Sequence, residues 1–173
     1  MEKIEGEPCP ICHKKTLTLM EDEIDIPFFG KTYVFGMSCK SCGFNKSDVE
    51  AVEQKEPAKI TFTVEKDQDM KVRVVKSSEA SVNIPQMRMS MDPGANSIGF
   101  VTNIEGLLGR FKKIIEDQRD TTDDSAVKKA AKNLLKKLWK VECGDMPLKI
   151  IIKDPSGNSA IVSEKTVIEK LKK

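Results

Sequence analysis

Histidine is nearly absent from this chain: His13 is the one histidine in 173 residues. That excludes sites needing two, such as His-rich zinc enzymes and the two-His-one-carboxylate iron centre. A Ser-His-Asp set would have to recruit His13, which lies inside a cysteine motif. No segment approaches the ~20 apolar residues of a membrane-spanning helix. The acidic first seven residues lack the apolar core of a secretory signal. Glycine-rich phosphate loops, internal repeats and low-complexity stretches are missing too. These absences predict a non-enzymatic cytoplasmic protein with no membrane partner, whose thiols stay reduced.

What is present is cysteine, five in all, four of them in two pairs: Cys9-Pro10-Ile11-Cys12 and Cys39-Lys40-Ser41-Cys42. Each Cys-x-x-Cys turn aims two thiolates at one ion, and two turns complete a tetrahedral shell. Cys9, Cys12, Cys39 and Cys42 are therefore the predicted ligands of one structural Zn2+; four-thiolate tetrahedral sites suit zinc ahead of rubredoxin-like iron. With every position taken by protein, no water can be activated, so the site is structural. Binding of this kind holds small zinc modules folded with on the order of 10–16 kcal/mol. Replacing Cys39 with serine is expected to unfold residues 8–50 and leave the remainder largely intact. A thioredoxin-type redox pair would open a helix beside a strand, whereas Cys9 and Cys12 sit among polar residues. Phe28, Phe29, Tyr33 and Phe35 can cover the thin metal-centred core. His13 reads as a surface residue beside the knuckle, and Cys143 as a small buried or half-exposed one.

Charge is unevenly spread beneath a formal net of +2. The first 56 residues hold 7 Lys/Arg against 11 Asp/Glu, whereas residues 103–141 hold 10 against 6. Gripping nucleic acid requires a basic surface, because phosphate neutralisation supplies most of the affinity. The acidic cysteine region argues against that role. The lysines at 128, 129, 132, 136, 137 and 140 read as a solvated helix face, with RNA binding as the alternative.

Strand patterns surround the cysteines at 16–20, 32–38 and 45–49, giving the layout of a zinc ribbon over residues 1–56. The polar stretch 53–57, ending in Pro57, marks the boundary. Residues 57–173 then form a mainly β unit. Period-two alternation runs through 60–64, 72–74, 80–85 and 87–91, which suggests an antiparallel sandwich or barrel. The pattern turns helical at Thr102, where Thr102 and Glu105 fit a capping box. Ile104, Leu107, Leu108, Phe111 and Ile115 form one apolar stripe. After a polar turn at 121–125, Val127, Ala131, Leu134 and Leu138 form another, flanked by Leu135 and Trp139. The two make a helical hairpin at about 102–141, inserted between strands. Strands return at 148–152 and 160–162, joined by a hairpin turn at 154–158, and a last helix is predicted over 164–172. The long polar loop at 92–99 is an ordinary turn or a partner-binding loop. Gly106 and Gly109 each cost a helix about 1 kcal/mol against alanine. Either a neighbour passes close to them or that helix moves.

Several separated motifs, in order, carry a family resemblance: the two cysteine pairs, the second extending to Gly43-Phe44, with Ile26-Pro27-Phe28-Phe29 between them; Arg73-Val74-Val75-Lys76-Ser77; Ile84-Pro85; Pro93-Gly94 leading to Gly99–Leu108; and Asp154-Pro155-Ser156-Gly157-Asn158-Ser159. Over nearly its whole length the chain resembles a single-module, archaeal-type member of the ZPR-type zinc-finger family. That resemblance implies a zinc ribbon followed by a double-stranded β-helix (jelly-roll-like) domain interrupted by a helical hairpin. Two-module eukaryotic members bind translation elongation factor 1-alpha and are thought to assist its folding. The resemblance therefore implies an adaptor or folding chaperone for that factor, expected to be a monomer.

Overall fold

The computed structural model describes residues 2–26, 30–52, 55–94 and 96–171. Four antiparallel strands come first: β1 (Glu2–Pro8), β2 (Lys15–Ile26), β3 (Gly30–Cys39) and β4 (Asn45–Ala51), in that spatial order. The acidic run Glu21–Asp25 lies within β2, because its alternate residues point to opposite faces. Glu21, Glu23 and Asp25 are exposed, whereas Ile24 is half-buried and Ile26 fully buried. Strand β1 has no apolar alternation to announce it, and every one of its residues is exposed. Its pairing to β2, from Glu2↔Glu21 to Pro8↔Lys15, makes it a strand.

The remaining strands are β5 (Ala58–Val64), β6 (Arg73–Lys76), β7 (Ser81–Ile84), β8 (Met89–Met91) and β9 (Phe100–Asn103). The helices α1 (Ile104–Thr121) and α2 (Ser125–Glu142) follow, then β10 (Leu148–Asp154), β11 (Ala160–Ile161) and β12 (Val167–Lys170). They build a five-stranded sheet in the order β12-β5-β10-β7-β8 and a three-stranded sheet β11-β6-β9. Inward residues of β5, β7 and β10 (Ile60, Phe62, Val82, Ile84, Ile150, Ile152) and the apolar stripe of α1 share one core. All five predicted stripe residues of α1 are buried. On α2, Ala131 and Leu138 are buried, Val127, Leu134 and Leu135 are half-buried, and Trp139 is 60% exposed. Both helices pack on this core, and among the described residues no helix is long and apolar enough to cross a membrane.

Three sequence expectations need correction. Residues 167–170 form a strand instead of the predicted helix, because Val167 and Ile168 pair with Thr61 and Ile60 of β5 and Glu169 bonds Lys59 at 2.7 Å. Local helical spacing gives way to the open edge of a sheet. The cap of α1 is Asn103, not Thr102, since its side-chain oxygen accepts from Gly106 N at 2.8 Å. Finally, residues 154–158 do not close a hairpin. Strand β10 pairs with β5 and β7, whereas β11 pairs with β6 in the other sheet, so the turn crosses between sheets.

Candidate metal centre

The two cysteine pairs sit on two knuckles of matching construction. In the first, Cys9 N donates to Lys14 O at 3.0 Å and His13 N to Cys9 O at 2.9 Å. In the second, Cys39 N donates to Phe44 O at 2.8 Å and Gly43 N to Cys39 O at 3.0 Å. Each knuckle needs a left-handed residue just after its second cysteine, filled by His13 (φ 58°) and Gly43 (φ 73°). Strand β1 leads into the first knuckle and β3 into the second. Because Leu17 pairs with Cys39 across β2 and β3, the knuckles face one another.

The four sulfurs lie within 4.8 Å of one another. Cys9 and Cys42 are 3.7 Å apart, as are Cys12 and Cys39. A tetrahedron of thiolates around zinc, with Zn–S bonds of about 2.3 Å, has edges of about 3.8 Å. The cluster is therefore positioned to bind a metal ion, and its spacing fits zinc. Its electrostatics also call for a cation. A hydroxyl bond from Thr16, 3.3 Å away, brings the Cys39 thiol down to about 6. The Phe44 amide favours the Cys42 thiolate, but burial and the sulfurs of Cys39, Cys12 and Cys9 overcome it and push Cys42 up to about 12. Four negative sulfurs cannot share this space unless a positive charge compensates them.

Leu17, Leu19, Met37 and Phe44 pack around the cysteines. That corrects the part of the expected aromatic cover given to Tyr33 and Phe35. Phe28 and Phe29 lie outside the described residues, and Tyr33 and Phe35 contact each other, with ring centroids 6.1 Å apart, further along the sheet. His13 is exposed beside its knuckle as expected. Cys143 is exposed, not buried or half-exposed, because it follows α2 directly as its C-cap.

The motifs outside the ribbon converge on its attachment, a role the sequence did not reveal. Ile26, Val49 and Val75 form a buried seam, with Ile24, Val34, Val101, Ala160 and Val162 around it. Ser47 Oγ donates to Gly99 O, and Gly99 N donates to Ser47 O, both at 2.8 Å. A Cβ on Gly99 would lie 2.8 Å from Val49 N, so the end of the 92–99 loop runs against β4. Asp48 accepts from the Ser78 amide and hydroxyl, and Ala51 N donates to Asn158 Oδ1 at 3.1 Å. Beneath lies a buried polar group: Ser77 Oγ donates to Asp154 Oδ2, Ser77 N donates to Ser159 Oγ, and Lys76 Nζ donates to Ser77 O. Burial pushes the Lys76 ammonium down, while Asp154 and Asp48 pull it back up. Asp154, Ser156 and Asn158 read as turn formers in sequence, and that signal was too general to show what they hold.

Comparison with known proteins agrees with this architecture. Residues 3–57 match the family model of the ZPR1 zinc-finger domain, and residues 68–172 match that of the ZPR1 jelly-roll domain. The chain is 36% identical over 165 residues to a ZPR1-like protein of Methanocaldococcus jannaschii, covering 95% of this chain and 83% of that protein. A ZPR1-like protein of Pyrococcus horikoshii is 35% identical over 177 residues, covering 100% and 79%. The zinc finger chaperone zpr1 of Schizosaccharomyces pombe is 32% identical over 157 residues, which are 88% of this chain and 33% of that longer protein.

Proposed function

The chain belongs to the ZPR1 zinc-finger family, and on that premise we propose that it is a zinc-stabilised protein-binding module, an adaptor or folding chaperone for translation elongation factor 1-alpha. The observation that carries the reading is the closed four-sulfur cluster within a family whose fission-yeast relative is named a chaperone. Cys9, Cys12, Cys39 and Cys42 would hold one zinc ion, which supplies countercharge and a crosslink between the knuckles. Four protein ligands leave no position for substrate, so the proposed activity is binding and not catalysis, exercised in the cytoplasm by a monomer.

Affinity capture from the source lysate tests this, run with both GTP and GDP. Elongation factor 1-alpha enriched in at least one nucleotide state is the expected result, and its absence from both overturns the reading. The competing reading, RNA binding, rests on the six α2 lysines, all of which are exposed. It requires RNA affinity that falls steeply with salt. The net acidity of the ribbon residues favours protein.

A further inference from the structure

The ribbon sheet has two faces, and the fold buries one of them in the seam; on the other it reaches only the β4 edge, where Asp48 accepts from Ser78. Cross-strand register places Asp22, Val34 and Val49 together, with Ile24, Thr32 and Ala51 beside them, on the face that meets the seam. The opposite face carries three rows. Nearest the cysteines is Ile4–Leu19–Met37–Lys46, next Glu2–Glu21–Phe35–Asp48, and then Glu23–Tyr33–Glu50. Ile4 is 55% exposed, and Leu19, Tyr33, Phe35 and Met37 are all half-exposed. Ile4, Leu19, Phe35 and Met37 line an open groove of about 380 Å³, with Glu2 and Glu21 at its lip.

The charges on this face are mostly of one sign. Lys31 is held by Glu23 at 2.7 Å, and Lys46 stands opposite Met37 at one end. Glu2, Glu21 and Glu50 make no ion pair among the described residues. An apolar groove walled by carboxylates repels phosphate, which disfavours nucleic acids and anionic lipid surfaces. It suits large apolar side chains flanked by lysine or arginine, because aromatic and aliphatic anchors supply affinity while rim charges set on-rate and partner choice.

We propose that this free face of the ribbon, centred on Ile4, Leu19, Phe35 and Met37 and rimmed by Glu2 and Glu21, docks a basic-apolar segment of the protein partner. The proposal rests on the protein-binding reading above. It names a different protein, chosen by the charge of the face: Glu2 and Glu21 call for a cationic segment. Filling of the face by α2 of a second copy, with its lysines and exposed Trp139, is an outcome that the test below would reveal.

The probe is a fluorescein-labelled 12-residue peptide alternating lysine with leucine, titrated with the full chain by anisotropy. A control peptide carries glutamate in place of each lysine. The expected result is binding of the lysine peptide alone, weakening as salt rises, with amide shifts at residues 4, 19, 35 and 37. Phe35→Ser should weaken it at least about tenfold, as loss of an anchor does, and Glu21→Lys, an exposed and unpaired position, should weaken it while leaving the circular dichroism unchanged. Trp139→Ala should have no effect. Equal binding of both peptides, no binding of either, shifts mapping elsewhere, or sedimentation showing the face filled by a second copy would each overturn the proposal.

The same variants separate this inference from the one beneath it. If the wild-type chain captures elongation factor 1-alpha and both Glu21→Lys and Phe35→Ser capture it equally, the face is wrong and the proposed function stands. If the chain captures no factor yet binds the lysine peptide through this face, the elongation-factor reading falls and the docking surface stands.

Discussion

At the scale of single residues, the two knuckles offer a controlled comparison. His13 and Gly43 occupy equivalent left-handed positions, but only Gly43 adopts that conformation without a Cβ penalty. His13→Gly should therefore stabilise the chain by up to about 1 kcal/mol, and Gly43→Ala should destabilise it by about 1–2 kcal/mol, both read by chemical denaturation. The motif Cys-x-x-Cys was plain in the sequence, but the strain at His13 was not, because it follows from a backbone angle. Asp69 supplies a pH test. Burial favours its protonated form, but amide bonds from Glu65 and Lys66 and the Lys165 ammonium at 3.1 Å hold its carboxyl below the ordinary range. A lowered folded-state pKa gives stability that is complete above the unfolded carboxylate value and is lost as pH falls through the folded one. Asp69→Ala should cost about 1.5–3 kcal/mol at neutral pH. The difference from wild type should shrink in acid, and a difference that stays constant down to the acid transition would contradict this assignment.

Among the elements, the hairpin was the most legible. Its apolar stripes repeat at helical spacing, and Asp124 caps α2 by accepting from Ala126 N at 2.7 Å. The start of α1 was legible only to within a residue, because Thr102, Asn103 and Glu105 all have cap chemistry and only the structure shows Asn103 in use. The two α1 glycines now separate. A Cβ at Gly106 would come within 2.2 Å of Thr102 Oγ1, whereas Gly109 has open space around it. Gly109→Ala should raise stability by about 1 kcal/mol, and Gly106→Ala should lower it, as thermal melts of both variants would show. Strands β1 and β12 were the least legible elements. Both are exposed edge strands with no buried alternate face to imprint a period, so only their partners define them.

For the whole molecule, ribbon and jelly roll share the seam of Ile26, Val49 and Val75, each 2% exposed or less. Burying side chains of this kind contributes roughly 1.5–3 kcal/mol apiece. Sequence favoured two units that fail separately, because β residues in the seam look the same as β residues in either core. With the seam in view, Cys39→Ser should destabilise the jelly roll as well as the ribbon. Calorimetry of the zinc-loaded chain should show one transition, moving to lower temperature on chelation; two well-separated transitions would contradict the coupling. The seam and the bonds of Ser47, Asp48 and Ala51 also fix the direction in which the ribbon's free face points.

The measurement that bears most directly on the account is a calorimetric titration of purified elongation factor 1-alpha with the full chain, in GTP and in GDP, before and after zinc removal. Saturable binding in at least one nucleotide state, abolished when chelation releases the ribbon, is the expected result. No heat of binding in either state, or binding unchanged after the zinc is gone and the ribbon has melted, would contradict it.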